Sequence, residues 1–70
     1  MEQFTVRLAG HQLTIIPCDD ASGFQIFINE SYKGKIYAAE NANAVNWTTD
    51  DDIDPHLVEL VGGLIDEKVL

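Results

Sequence analysis

Apolar and polar residues alternate strictly from Phe4 to Leu8 (F-T-V-R-L), the two-residue period of a strand with one face on a core. The period returns at Leu13 to Pro17 (L-T-I-I-P), and Gly10-His11 between them suits a two-residue hairpin loop of type II′, with glycine first. That loop predicts Leu8 opposite Leu13, Val6 opposite Ile15 and Phe4 opposite Pro17, with Thr5, Arg7, Thr14 and Ile16 on the other face. Cys18 to Gly23 is a polar connection rich in turn formers. Phe24 to Ile28 reads as a third strand. A three-residue loop at Asn29-Glu30-Ser31 leads into a fourth, Tyr32 to Ala38, pairing Ile28 with Tyr32, Ile26 with Gly34 and Phe24 with Ile36. Glycine inside a strand marks a bulge or a close approach from above, which makes Gly34 a position to watch. Glu40 to Asn43 is the next turn, and Ala44 to Thr48 a fifth strand with Val45 and Trp47 inward. A helix over Ala38 to Ala44 is the alternative, weakened by two asparagines and the lack of a cap.

The period changes after Thr49. Asp54 at an N-cap, followed by Pro55 in the first helical position, is a strong helix start, and Ile53 and Val58 are placed to close a hydrophobic staple. Leu57, Val58, Leu60, Val61, Leu64 and Ile65 fall in one arc, with Glu59 and Asp66 opposite. Gly62-Gly63 interrupts this helix at a cost of about 1 kcal/mol per glycine relative to alanine. Such a cost predicts close approach of helix to sheet, over Trp47 or Tyr32. The fold class expected is α+β: a single domain over residues 1–70, with an antiparallel β-meander of five strands within 3–49 and one C-terminal helix, 54–69, on one face. The expected core is Phe4, Val6, Leu8, Leu13, Ile15, Phe24, Ile26, Ile28, Ile36, Val45 and Trp47, with Leu57, Leu60, Val61, Leu64 and Ile65 from the helix.

Composition fits this picture. A hydrophobic fraction of 46% in 70 residues is that of a small globular domain near the lower limit for a self-sufficient core. The formal charge of −8 opposes non-specific contact with nucleic acid or anionic membrane and suits a basic partner. Cys18 is the only cysteine, which excludes an internal disulfide. The first ten residues (MEQFTVRLAG) lack the basic and apolar regions of a signal peptide, so a cytoplasmic location is expected and the sequons at Asn29 and Asn46 read as chance matches.

Asp50, Asp52 and Asp54 imitate the start of a calcium-binding EF-hand loop, but Pro55 replaces the required glycine and Val61 the bidentate glutamate. No metal or other cofactor is expected, and the carboxylates are expected to gather at the helix N-terminus because its dipole favours them. His11 and His56 belong to no ligand pattern. Cys18 paired with either would need an oxyanion hole and a cleft for which nothing in the chain provides, so an enzyme is not expected. The sheet face away from the helix should display Arg7, Ile16, Gln25, Phe27, Lys33, Lys35 and Tyr37. An aromatic and basic sheet can stack single-stranded RNA, but the RNP motif is absent and the net charge opposes it. Arg7, Ile16, Phe27, Lys35 and Tyr37 are therefore the candidate surface of a small non-enzymatic interaction module that contacts a protein partner or a second copy. The alternative is an acidic inhibitor, or a nucleic-acid mimic, that blocks a basic partner.

Overall fold

The computed structural model describes residues 2–41 and 44–69, leaving aside the side chains of residues 40, 41, 44, 45 and 69. Its elements run β1 (Phe4–Leu8), β2 (His11–Pro17), β3 (Phe24–Ile28), β4 (Ser31–Asn41), β5 (Ala44–Thr49) and α1 (Pro55–Val69). Each strand pairs antiparallel with its neighbour in sequence, giving one sheet ordered β1-β2-β3-β4-β5 with the helix packed against one face. The architecture is the α+β meander that the periodicities predict. Ala38 and Ala39 lie within β4, which rules out the helical alternative, and Glu40 and Asn41 extend that strand. The remainder of the expected Glu40–Asn43 turn, and the side chain of Val45, lie outside the described residues.

Both hairpin turns depart from expectation, for the same reason. Phe4 pairs with Ile15, Val6 with Leu13 and Leu8 with His11, so the first loop is Ala9-Gly10 rather than Gly10-His11. Both loop residues have positive φ, 51° at Ala9 and 79° at Gly10. Two successive positive φ values make a type I′ turn, whose twist matches that of the strands it joins. The register therefore differs by two residues from that expected. A shift of two returns every side chain to the same face, so alternation alone does not separate the two registers. The second loop is likewise the two-residue pair Asn29 (φ 49°) and Glu30 (φ 70°), not three residues. Asparagine tolerates this left-handed conformation better than most residues. Asn29 also ties the two hairpins together: its N–H donates to Gln12 O at 2.8 Å, and its Oδ1 accepts from Gln12 N–H at 3.0 Å. Its Nδ2 donates to His11 Nδ1 at 3.0 Å.

The shorter loop pairs Ile28 with Ser31 and Phe27 with Tyr32, yet Ile26 still pairs with Gly34 and Phe24 with Ile36. One residue, Lys33, is left over as a bulge, and Tyr32 is carried to the face away from the helix. Gly34 closes the bulge with φ 143°, and a Cβ there would lie 2.7 Å from the Cβ of Asp51. Both physical reasons for glycine in a strand thus act at one position.

Leu13, Ile15, Ile26 and Ile36 from the sheet, Ile53 from the connection, and Val58, Val61 and Ile65 from α1 form the buried core. Phe4, Val6, Leu8, Phe24, Ile28, Trp47 and Leu57 pack at its margins. Leu64 is half-buried, and Leu60, expected in the core, is 46% exposed. The buried stripe is Val58, Val61, Gly62 and Ile65, at i, i+3, i+4 and i+7, which turns Leu60 to the opposite side. The helix starts as expected: Asp54 Oδ1 accepts from His56 N–H at 2.9 Å, and Val58 N–H donates to Asp54 O at 3.1 Å.

The two glycines have different environments. A Cβ on Gly62 would overlap Cγ and Cδ1 of Trp47, so the helix backbone rests directly on the indole. Trp47 in turn meets Phe24 edge-on, with centroids 5.8 Å apart, and its Nε1 donates to Asp66 Oδ2 at 3.3 Å. At Gly63, nothing among the described residues lies within 4 Å of a Cβ. Gly62→Ala is expected to destabilise the domain by about 1–3 kcal/mol through overpacking, and Gly63→Ala to stabilise it by about 0.5–1 kcal/mol through helix propensity. Paired urea denaturation curves check both signs; equal effects would contradict the contact with Trp47.

Candidate functional site

The strand registers arrange the outer face in rows. Arg7 stands beside Gln12; Thr5, Thr14, Phe27 and Tyr32 form the next row; Ile16, Gln25 and Lys35 the one after; Tyr37 lies beyond, paired with Thr48 of β5. Of the predicted surface residues, Ile16 and Phe27 are diagonal neighbours and Lys35 shares a row with Ile16. Arg7 and Tyr37 sit at opposite corners. Tyr32, which the sequence reading turned inward, joins this surface instead. Its ring packs on Phe27 at 5.2 Å between centroids and remains 54% exposed. Its signal in the sequence was the Asn29-Glu30 pair, a short loop that forces the bulge. Thr14, Ile16, Phe27 and Glu30 line a shallow hollow of about 280 Å³. A second, of about 580 Å³, lies along Ile16, Cys18, Gln25 and Lys35.

Lys35 and Tyr37, on this face, have partners within the chain. Lys35 Nζ donates to Ser22 Oγ at 3.0 Å, and Tyr37 Oη donates to Asp50 Oδ1 at 3.0 Å. By accepting the phenol's hydrogen bond, Asp50 holds the Tyr37 pKa above its ordinary 10.0, with desolvation and the carboxylate charge acting the same way. Asp20 shifts in the opposite sense. The Ser22 hydroxyl and backbone N–H hold its carboxyl below the usual 3.8, although the residue is exposed.

The acidic segment after β5 is a clasp on the sheet. Where β5 ends, Lys35 in β4 would lose its ladder partners. The Thr49 hydroxyl donates to Lys35 O at 2.7 Å, Asp51 Oδ2 accepts from Lys35 N–H at 2.9 Å, and Asp51 N–H donates back to Thr49 Oγ1 at 3.0 Å. Side chains thus replace the missing strand. This corrects the expectation that the aspartates gather at the helix N-terminus: Asp54 caps the helix, whereas Asp50 and Asp51 are spent on Tyr37 and Lys35. Among the described residues, no group of three or more histidine, cysteine or acidic side chains is placed to hold a metal ion. Among the same residues, no helix is long and apolar enough to cross a membrane.

No protein-family model, curated protein or solved structure matches this chain.

Thr49→Val leaves Lys35 O and Asp51 N–H without the hydroxyl, an expected loss of about 1–3 kcal/mol that Thr49→Ser should largely restore. Denaturant unfolding of the two variants is the check, and equal stability would remove the clasp from the account. The phenol gives a second expectation. A group whose folded pKa is raised stabilises the fold fully below its unfolded pKa and loses that contribution as pH climbs through the folded value. In a Tyr32→Phe background, which leaves Tyr37 as the sole tyrosine, ultraviolet titration should show ionisation above pH 10.0, and Asp50→Asn should lower it.

Proposed function

We propose that the chain is a small non-enzymatic interaction module whose outer sheet face binds a protein partner or a second copy. The observation that supports this reading is the Phe27–Tyr32 pair beside Ile16, an aromatic and aliphatic patch on the face opposite the helix, with Tyr32 54% exposed. Tyrosine and phenylalanine are favoured in interface cores, because they bury large area at small conformational cost. Lys35 and Arg7 supply a polar margin. The reading needs no cofactor, nucleic acid or membrane, and it suits the cytoplasm, where a lone Cys18 stays reduced.

The alternative of an acidic inhibitor or nucleic-acid mimic draws less support. Asp20, Asp50, Asp51, Asp54 and Asp66 each accept a hydrogen bond within the chain, so much of the acidity has an internal role. Light scattering and affinity capture with Phe27→Ser and Tyr32→Ser test the proposal. Loss of self-association or of a captured partner is expected, with the thermal unfolding transition retained. Oligomeric state and partners unchanged in both variants would sink it, and capture abolished only by high salt would favour the acidic mimic.

A further inference from the structure

The opposite face of the sheet is incompletely covered. Five strands at about 4.8 Å spacing set β1 and β5 about 19 Å apart, whereas a helix with its side chains is about 11 Å across. One helix cannot span that width. Resting on Trp47 through Gly62, α1 lies against β5 and β4 and keeps its backbone farther from β1, β2 and β3. The inward residues of β1, Phe4, Val6 and Leu8, are accordingly only half-buried. On the solvent side of α1, reaching Leu8 at the end of β1, lies a groove of about 320 Å³ lined by Leu8, Glu59, Leu60, Gly63, Leu64 and Glu67.

Two features of this groove lack an explanation among the described residues. Leu60 is 46% exposed at its wall. Gly63 weakens the helix while touching nothing among the described residues where a Cβ would stand, unlike Gly62 one position earlier. A bare backbone between two leucines is what a close-packed second helix requires. The rim is set by Glu59 and Glu67, both exposed, with Lys68 turned away onto the Phe4 ring at 5.3 Å.

We propose that this groove receives an amphipathic helix from a partner protein, its apolar stripe on Leu8, Leu60, Gly63 and Leu64 and its flanking lysines or arginines against Glu59 and Glu67. The charge selects the occupant. A second copy would bring the same acidic rim against itself on a chain of net charge −8, whereas a basic-flanked helix is attracted. The surface is distinct from the Phe27–Tyr32 face, so the module would hold two partners on opposite sides.

A fluorescent peptide with leucines at i, i+3, i+4 and i+7 and lysine flanks, and the same peptide with glutamate flanks, are suitable probes for anisotropy titration. The lysine peptide should bind saturably and the glutamate peptide should not. Leu60→Glu, a change at an exposed site, should weaken the lysine peptide at least about tenfold, the worth of one buried leucine. Glu59→Gln with Glu67→Gln should weaken it and flatten its salt dependence, while Phe27→Ser leaves it unaltered and so separates this groove from the outer face. No saturable binding, equal affinity for both peptides or equal affinity of Leu60→Glu would overturn the proposal. So would a wild-type dimer that Leu60→Glu dissociates, since a second copy would then fill the groove.

Discussion

The seating of the Gly62 backbone on the Trp47 indole determines where the helix lies, and much of the molecule follows from it. With a side chain at that position the helix would have to lift from β5. Without one, it settles over β4 and β5, Val58, Val61 and Ile65 reach the sheet core, and Asp66 comes within reach of the indole N–H. The contact is favourable twice over. It buries a large aromatic surface against backbone and fixes the ring between Phe24 and the helix. Its consequence is asymmetry, because a helix drawn to one edge leaves the other edge partly open.

The acidic character of the chain has a structural share that charge arithmetic conceals. Where a strand ends next to one that continues, backbone groups need new partners, since an unmade buried hydrogen bond costs more than a made one contributes. Thr49 and Asp51 supply those partners to Lys35, and Asp50 holds the neighbouring phenol. Gly34 gives Asp51 the room to do so. The bulge in β4 and the acidic connection after β5 are therefore one device, built from residues far apart in sequence.

The two faces of the sheet pose different physical problems. The outer face is held at one end by the hydrogen bonds of Lys35 and Tyr37 and open around Phe27 and Tyr32, where apolar area meets water. The inner face is well packed under the helix and thin near β1. A meander of five strands with a single helix has more apolar sheet than the helix can cover.

Periodicity determined most of the architecture by itself: five alternating segments, one helical segment capped by Asp54 and Pro55, and the division of the sheet into an apolar and a mixed face. Alternation is a strong signal because it reports burial directly. It is blind to shifts of two residues, so the register of β1 on β2 and the type I′ turn at Ala9-Gly10 were left to the folded chain. The inward placing of Tyr32 failed for a related reason, since a bulge at Lys33 reverses faces locally without altering the pattern on either side. Leu60 lay within a helical arc six residues rich, and the seat of Gly62 on Trp47 chose which part of that arc to bury. Gly62 and Gly63 look identical in the sequence. Tertiary packing alone gave one of them the indole and left the other facing open space.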